Sequence, residues 1–209
     1  MPKTLGILGK KVGMTRVYSD DGTALPVTVV EAGPCVVLQT KSVAKEGYSA
    51  IQVGFDSKKE SRMNKPAKGH SAAGGKGGFY HIKEFRVKDS SEYEIGQEIR
   101  ISDIFKIGDI VDVSGITKGR GFQGVMKRHG FSGGNKTHGS MFHRAPGSIG
   151  CSAWPSRVVK GKKMPGRMGN KLVTKKNVII LDIRDEDNVL VVKGSLPGSI
   201  TGLLQIYSK

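Results

Sequence analysis

Cysteine is nearly absent from this 209-residue chain: Cys35 and Cys151 are the only two, far apart and in no Cys-x-x-Cys pair. That argues against a disulfide framework and a zinc knuckle, and it makes a reducing cytoplasm the expected compartment. Aromatic residues make up only 6% of the chain. No stretch approaches the ~18 consecutive apolar residues of a membrane-crossing helix. The opening MPKTLG carries no apolar run ahead of a small-residue cleavage site, so no secretory leader is expected. The most informative absence is of negative charge. Residues 113–181 contain no Asp or Glu, where the chain's own rate of 18 in 209 would place about six.

What that stretch does contain is positive. Fourteen of the 34 Lys and Arg lie in it: Lys118, Arg120, Lys127, Arg128, Lys136, Arg144, Arg157, Lys160, Lys162, Lys163, Arg167, Lys171, Lys175 and Lys176. Thirteen glycines and the lone Trp154 accompany them. A second basic, glycine-rich patch covers residues 57–78, with Lys58, Lys59, Arg62, Lys65, Lys68 and Lys76 against the single acid Glu60. Outside the two segments, 14 basic residues face 17 acidic ones, so the whole excess behind the net charge of +16 sits in the two segments. An ordinary solvated surface mixes signs, because interspersed acids limit self-repulsion. Exclusion of acids over this length means that carboxylates would be harmful there, and phosphates on several sides supply the reason. An acidic membrane would call for an amphipathic basic helix, and none of sufficient length is present.

The rest of the chain has a β pattern. Extended runs are expected at 5–10, 14–18, 27–32, 35–40, 50–55, 79–87, 95–101, 110–116, 178–184, 189–193 and 203–207. Asp20-Asp21-Gly22, Gly33-Pro34, 185–188 and 194–198 serve as turns. The pattern predicts that 27–32 and 35–40 pair across Gly33-Pro34. Many short strands at close spacing point to a small barrel or sandwich. The expected division is a discontinuous β body, 1–117 plus 177–209 with a basic loop at 57–78, and a basic insertion at 118–176. Only 121–129 has a helical pattern within the insertion, which lacks the apolar surface for a core of its own. It is therefore expected to be floppy alone and ordered by something other than protein.

Several motifs invite other readings. Residues 119–124 match G-x-G-x-x-G, but a dinucleotide site also needs a βαβ unit and an acid about 20 residues on, and no acid occurs before Asp182. The glycines fit close approach of the backbone to phosphate, with Lys118 and Arg120 beside them. His129, His138, His143 and Cys151 match no zinc spacing, and no carboxylate is nearby to orient a ligand. A Cys151–His143 nucleophile lacks any further catalytic partner. Trp154 suits either stacking on a base or an Arg, or filling a small apolar gap. The basic run at 160–168 suits RNA contact better than a localisation signal.

Several longer motifs carry a family resemblance. These are GILGKKVGMT at 6–15, TKGRGFQGVMKR at 117–128, THGS at 137–140, HRAPGSIG at 143–150, KGKKMPGRMG at 160–169 and LVVKGSLPG at 190–198. Together they resemble bacterial ribosomal protein L3, the uL3 family, from end to end. The resemblance implies a mainly β protein: a small translation-protein-type β-barrel with a long, mostly irregular basic extension inserted into it. It implies a structural constituent of the large ribosomal subunit, not an enzyme, with no cofactor and no metal. Such proteins bind 23S rRNA, support subunit assembly, lie near the large-subunit proteins uL14 and bL19, and send the extension toward the peptidyl transferase centre. On the matching positions, rRNA contact falls to Lys118, Arg120, Lys127, Arg128, Lys136, His138, His143, Arg144, Arg157, Lys160, Lys162, Lys163, Arg167 and Lys171. The tip would comprise Gly150, Cys151, Ser152, Ala153 and Trp154, and the secondary basic loop Lys58, Lys59, Arg62, Lys65, Lys68 and Lys76. Where some proteobacterial relatives carry a methylated glutamine, an ungapped match places Ala153, which cannot be modified in that way.

Overall fold

The computed structural model describes residues 5–72, 74–75 and 77–209. It divides into two compact units: residues up to Ile116 together with Leu172–Lys209, and Thr117–Lys171. In chain order the strands of the first unit begin with β1 (Gly6–Tyr18), β2 (Ala24–Ala32), β3 (Cys35–Lys41), β4 (Ala50–Lys58), β5 (Gly78–Arg86), β6 (Glu98–Ile99) and β7 (Ile110–Ile116). The second unit supplies β8 (Phe122–Gln123) and β9 (Gly166–Arg167), and the first resumes with β10 (Leu172–Arg184), β11 (Val189–Lys193) and β12 (Leu203–Ser208). Three short helices are α1 (Val43–Glu46), α2 (Lys65–Ala72) and α3 (Val125–His129).

Six strands close a barrel in the order β1-β12-β7-β10-β11-β2, every neighbour antiparallel. Closure pairs the strand edges that an open sheet would leave exposed. A second sheet, β5-β4-β3-β6, completes the unit. Ile7 and Leu8 are consecutive on β1, so their side chains leave opposite faces. Both are fully buried, which means that β1 is covered on both sides. One apolar cluster spans the barrel and the second sheet, with Leu8, Val113, Leu190 and Ile206 in the former and Val37, Ile51, Val53 and Phe85 in the latter. Phe85 of β5 meets Tyr207 of β12 edge to face, with ring centroids 5.4 Å apart at 67°.

Three local expectations are revised. The runs at 5–10 and 14–18 form one strand, β1, whose pairing with β2 slips by a bulge between Lys11 and Gly13. The runs at 27–32 and 35–40 do not pair with each other. β2 lies in the barrel between β1 and β11, whereas β3 lies in the second sheet between β4 and β6. Both edges of β2 are taken, by β1 on one side and β11 on the other, so none is left for β3. Gly33, with φ +71, and Pro34 pass the chain from one sheet to the next.

The basic segment 57–78 is not a loop throughout. β4 ends at Lys58, a 3-10 turn covers Glu60–Arg62, and α2 follows. Asn64 Oδ1 accepts the Ala67 N–H at 3.1 Å, capping α2, and Pro66 in the first turn has no N–H to leave unsatisfied. Lys76 lies outside the described residues.

The two thiols are in contrasting surroundings. Cys35 is buried beneath the Leu8 carbonyl, and burial pushes its thiol up to about 12. Cys151 is exposed. At pH 8 a disulfide reagent such as Ellman's should titrate one thiol in the native protein and two in denaturant. Reaction of both in the native state would contradict the packing around Cys35. Above the ordinary thiol range the unfolded chain releases a proton that folded Cys35 retains. Stability should therefore fall as pH rises toward about 12.

Candidate nucleic-acid interface

The second unit begins with a backbone ladder between its two ends. The Thr117 N–H donates to Lys171 O at 3.0 Å, Asn170 N–H to Thr117 O at 3.1 Å, Arg120 N–H to Met168 O at 2.9 Å, and Met168 N–H to Gly121 O at 2.9 Å. Further in, β8 and β9 pair antiparallel through Phe122 with Arg167 and Gln123 with Gly166. Gly169 takes φ +74, and a Cβ there would run into the Lys118 carbonyl. Replacing Gly169 with Ala should destabilise this ladder by at least about 1–2 kcal/mol from the left-handed backbone alone. Limited proteolysis should show earlier cleavage near 117–124; an unchanged digestion pattern would count against the required conformation.

The G-x-G-x-x-G run lies in this antiparallel pair and precedes only α3, a helix of five residues. No βαβ unit forms around it. α3 ends at Gly130 with φ 73, where the Gly130 N–H reaches back to Met126 O. The next contact joins distant parts of the chain. Arg128 Nη1 donates to Met164 O at 2.6 Å, and His129 Nε2 lies 3.0 Å from the same oxygen. The sequence favours packing or RNA contact over metal binding for His129, and its part in closing this crossing cannot be read from neighbouring residues. Beyond the crossing, the Gly134 N–H donates to His143 O at 3.0 Å. Ser148 Oγ donates to Gly150 O at 2.9 Å, and Ser156 Oγ to Ala153 O.

Among the hydrophobic side chains of this unit only Val125 is buried. Met141 is 99% exposed, Trp154 82% and Phe122 74%, so Trp154 fills no apolar gap within its own unit. Gly150, Cys151, Ser152 and Ala153 are exposed beside it. The unit's charge is of one sign. Lys118, Arg120, Lys127, Lys136, Arg144, Arg157, Lys160, Lys162, Lys163, Arg167 and Lys171 are exposed, as are His138 and His143; Arg128 alone is half-buried. With no carboxylate between 113 and 181, none of these cations has a counter-ion within the unit. Lys175 lies in the first unit and donates to Ser195 O at 2.8 Å.

The first unit carries the smaller basic group. Lys58 is half-buried at the end of β4, while Lys59, Arg62, Lys65 and Lys68 are exposed on the 3-10 turn, α2 and their flanks. Among the described residues, no cluster of three or more His, Cys, Asp or Glu is placed to hold a metal ion. None of their helices is long and apolar enough to cross a membrane.

Comparison with known proteins adds the family. The family model of ribosomal protein L3 matches residues 76–196, which include the whole second unit. A large ribosomal subunit protein uL3 from Desulfotalea psychrophila is 62% identical over 209 residues, covering 100% of both chains. The chain belongs to the ribosomal protein L3 family. Other L3 relatives are similar over nearly the same span. The uL3 of Syntrophotalea carbinolica is 54% identical over 203 residues, 97% of each chain. That of Geobacter sulfurreducens is 51% identical over 201 residues, 96% of this chain and 95% of its own. L3 proteins are structural proteins of the ribosome and not enzymes, which agrees with a second unit rich in cations and poor in buried groups.

Proposed function

We propose that this chain is a structural constituent of the large subunit of the cytoplasmic ribosome, binding 23S rRNA through the basic segment read at 118–176. The observation that carries this reading is the Thr117–Lys171 unit itself. It has twelve Lys and Arg, no carboxylate, and one buried hydrophobic side chain. Such a unit gains little from folding on itself and much from phosphates that neutralise it. The exposed guanidinium and ammonium groups sit against the phosphate backbone, and recognition is of RNA shape and 2′-hydroxyls rather than of a linear sequence. The tip, Gly150 to Trp154, approaches the peptidyl transferase centre, where an 82% exposed indole is suited to stacking on an unpaired base. Lys58, Lys59, Arg62, Lys65, Lys68 and Lys76 form a secondary rRNA contact on the body, whose protein neighbours are uL14 and bL19.

Sedimentation tests the assignment. The tagged protein should remain with the large-subunit peak after a high-salt wash, because an integral component is held by many contacts at once. A loosely associated RNA chaperone would be released as salt competes for the phosphates. Recovery of the protein mainly at the top of the gradient would overturn the proposal.

A further inference from the structure

Tyr80 lies on β5, in the second sheet of the barrel unit. Its ring is 45% exposed. Two basic side chains engage it from the segment that precedes it. Lys58 Nζ lies 5.4 Å from the ring centroid, and Arg62 Nη1 donates to the phenol oxygen at 3.0 Å. Strand β5 is the edge of its sheet, and Ile82, two residues on and hence on the same face, is 37% exposed. The site thus combines an accessible aromatic ring held in one orientation, an apolar neighbour, and flanking cations.

We propose that Tyr80 is a stacking platform for an unpaired RNA base, with Lys58 and Arg62 holding the phosphates on either side of that nucleotide. The inference rests on the rRNA-binding reading above and deepens it, by assigning the body a base-stacking contact of its own, separate from the one proposed for Trp154. The physical logic is that of single-strand binding in general. A cationic track retains the backbone, and an aromatic face takes the base at little sequence cost. Charge favours a polyanion here, since Lys58, Lys59, Arg62, Lys65 and Lys68 face only Glu60 along the segment. The acid farther along β5, Glu84, is already engaged by Lys41 at 3.1 Å and by the Tyr48 hydroxyl at 2.9 Å. A sheet face built to dock protein would not need a ring gripped by two cations.

The test uses the full-length chain with Trp154→Phe and Tyr80→Trp, so that residue 80 carries the only indole. Poly(A) and inorganic polyphosphate are added at equal phosphate concentration, and bound polymer is measured in the same samples by filter retention. Stacking predicts that poly(A) removes most of the indole emission while bound polyphosphate leaves it unchanged. Equal quenching by both, unquenched emission with poly(A) bound, or failure of poly(A) to bind would each overturn the platform. A second measurement does not depend on the added tryptophan. Near 0.5 M salt, where phosphate contacts are weakened, Tyr80→Ala should lower poly(A) affinity roughly ten-fold and Tyr80→Phe should not. Equal affinity for Ala and Phe would also overturn it. Retention of the protein in the large-subunit peak is scored separately, so the platform can fail while the ribosomal assignment stands.

Discussion

A chain lacking residues 132–163 is expected to fold its barrel normally and to fail in building large subunits. The excised stretch contains no buried residue, so its loss removes nothing from the apolar core. The cut is also geometrically mild. Arg128 and His129 already lie against Met164 O, at 2.6 and 3.0 Å, so the two ends are near each other before they are joined. What the deletion removes is charge and the tip: Lys136, Arg144, Arg157, Lys160, Lys162 and Lys163, together with Trp154. If all six cations neutralise phosphates, the slope of log affinity against log salt should flatten by roughly 4 to 5, taking 0.7 to 0.9 per phosphate. Circular dichroism and thermal unfolding check the barrel, filter binding to 23S rRNA checks the slope, and gradient profiles from cells carrying only the variant check assembly. Normal large subunits with normal peptide-bond formation would mean that the segment has no part in either process.

Replacing Phe85 with Ala should be the most damaging single change to the body. Phe85 is 1% exposed and contributes to the apolar cluster shared by the barrel and the second sheet. Truncating a buried phenylalanine costs about 3–5 kcal/mol, and the edge-to-face contact with Tyr207 adds about 0.5–1.5 kcal/mol. Against a typical total of about 5–15 kcal/mol, that is a large share of what holds such a domain folded. At about 2–4 °C per kcal/mol for a domain of this size, Tm should fall by roughly 7 to 25 °C. Urea unfolding should show a lower midpoint with the slope preserved. A shift of under about 1 kcal/mol would mean that the two sheets do not depend on Phe85 for their packing.

The barrel was legible wherever a strand announces itself locally. Ile110–Ile116 and Val189–Lys193 are apolar, β-branched runs bounded by turn residues, and each is a strand with those limits. The partners of strands were not legible, because pairing is decided by packing between residues distant in the chain. β2 and β3 adjoin in sequence yet belong to different sheets, and nothing local to 27–40 reveals it. The helix in the basic 57–78 segment was hidden by composition. Glycine and lysine suggested a loop, whereas Asn64 and Pro66 were the signals that a helix starts. In the candidate interface, the absence of acids marks out a basic segment from the sequence alone. The contact of Arg128 and His129 with the Met164 carbonyl joins positions about 35 residues apart, and only coordinates reveal such a crossing. Tyr80 has no signature in the sequence, because one tyrosine beside a lysine-rich stretch is unremarkable until its neighbours in space are known.

The attachment of the second unit has a thermodynamic corollary. Ile116 and Leu172 are cross-strand partners of β7 and β10, so the 55 residues between them leave and return at adjacent points of the barrel wall. Closing a flexible loop between two fixed neighbours costs entropy that grows only as the logarithm of its length, about 0.6 kcal/mol for each doubling. Within one to two kilocalories per mole, then, the barrel is indifferent to how long that excursion is. Its length can therefore change with almost no consequence for the stability of the wall that carries it.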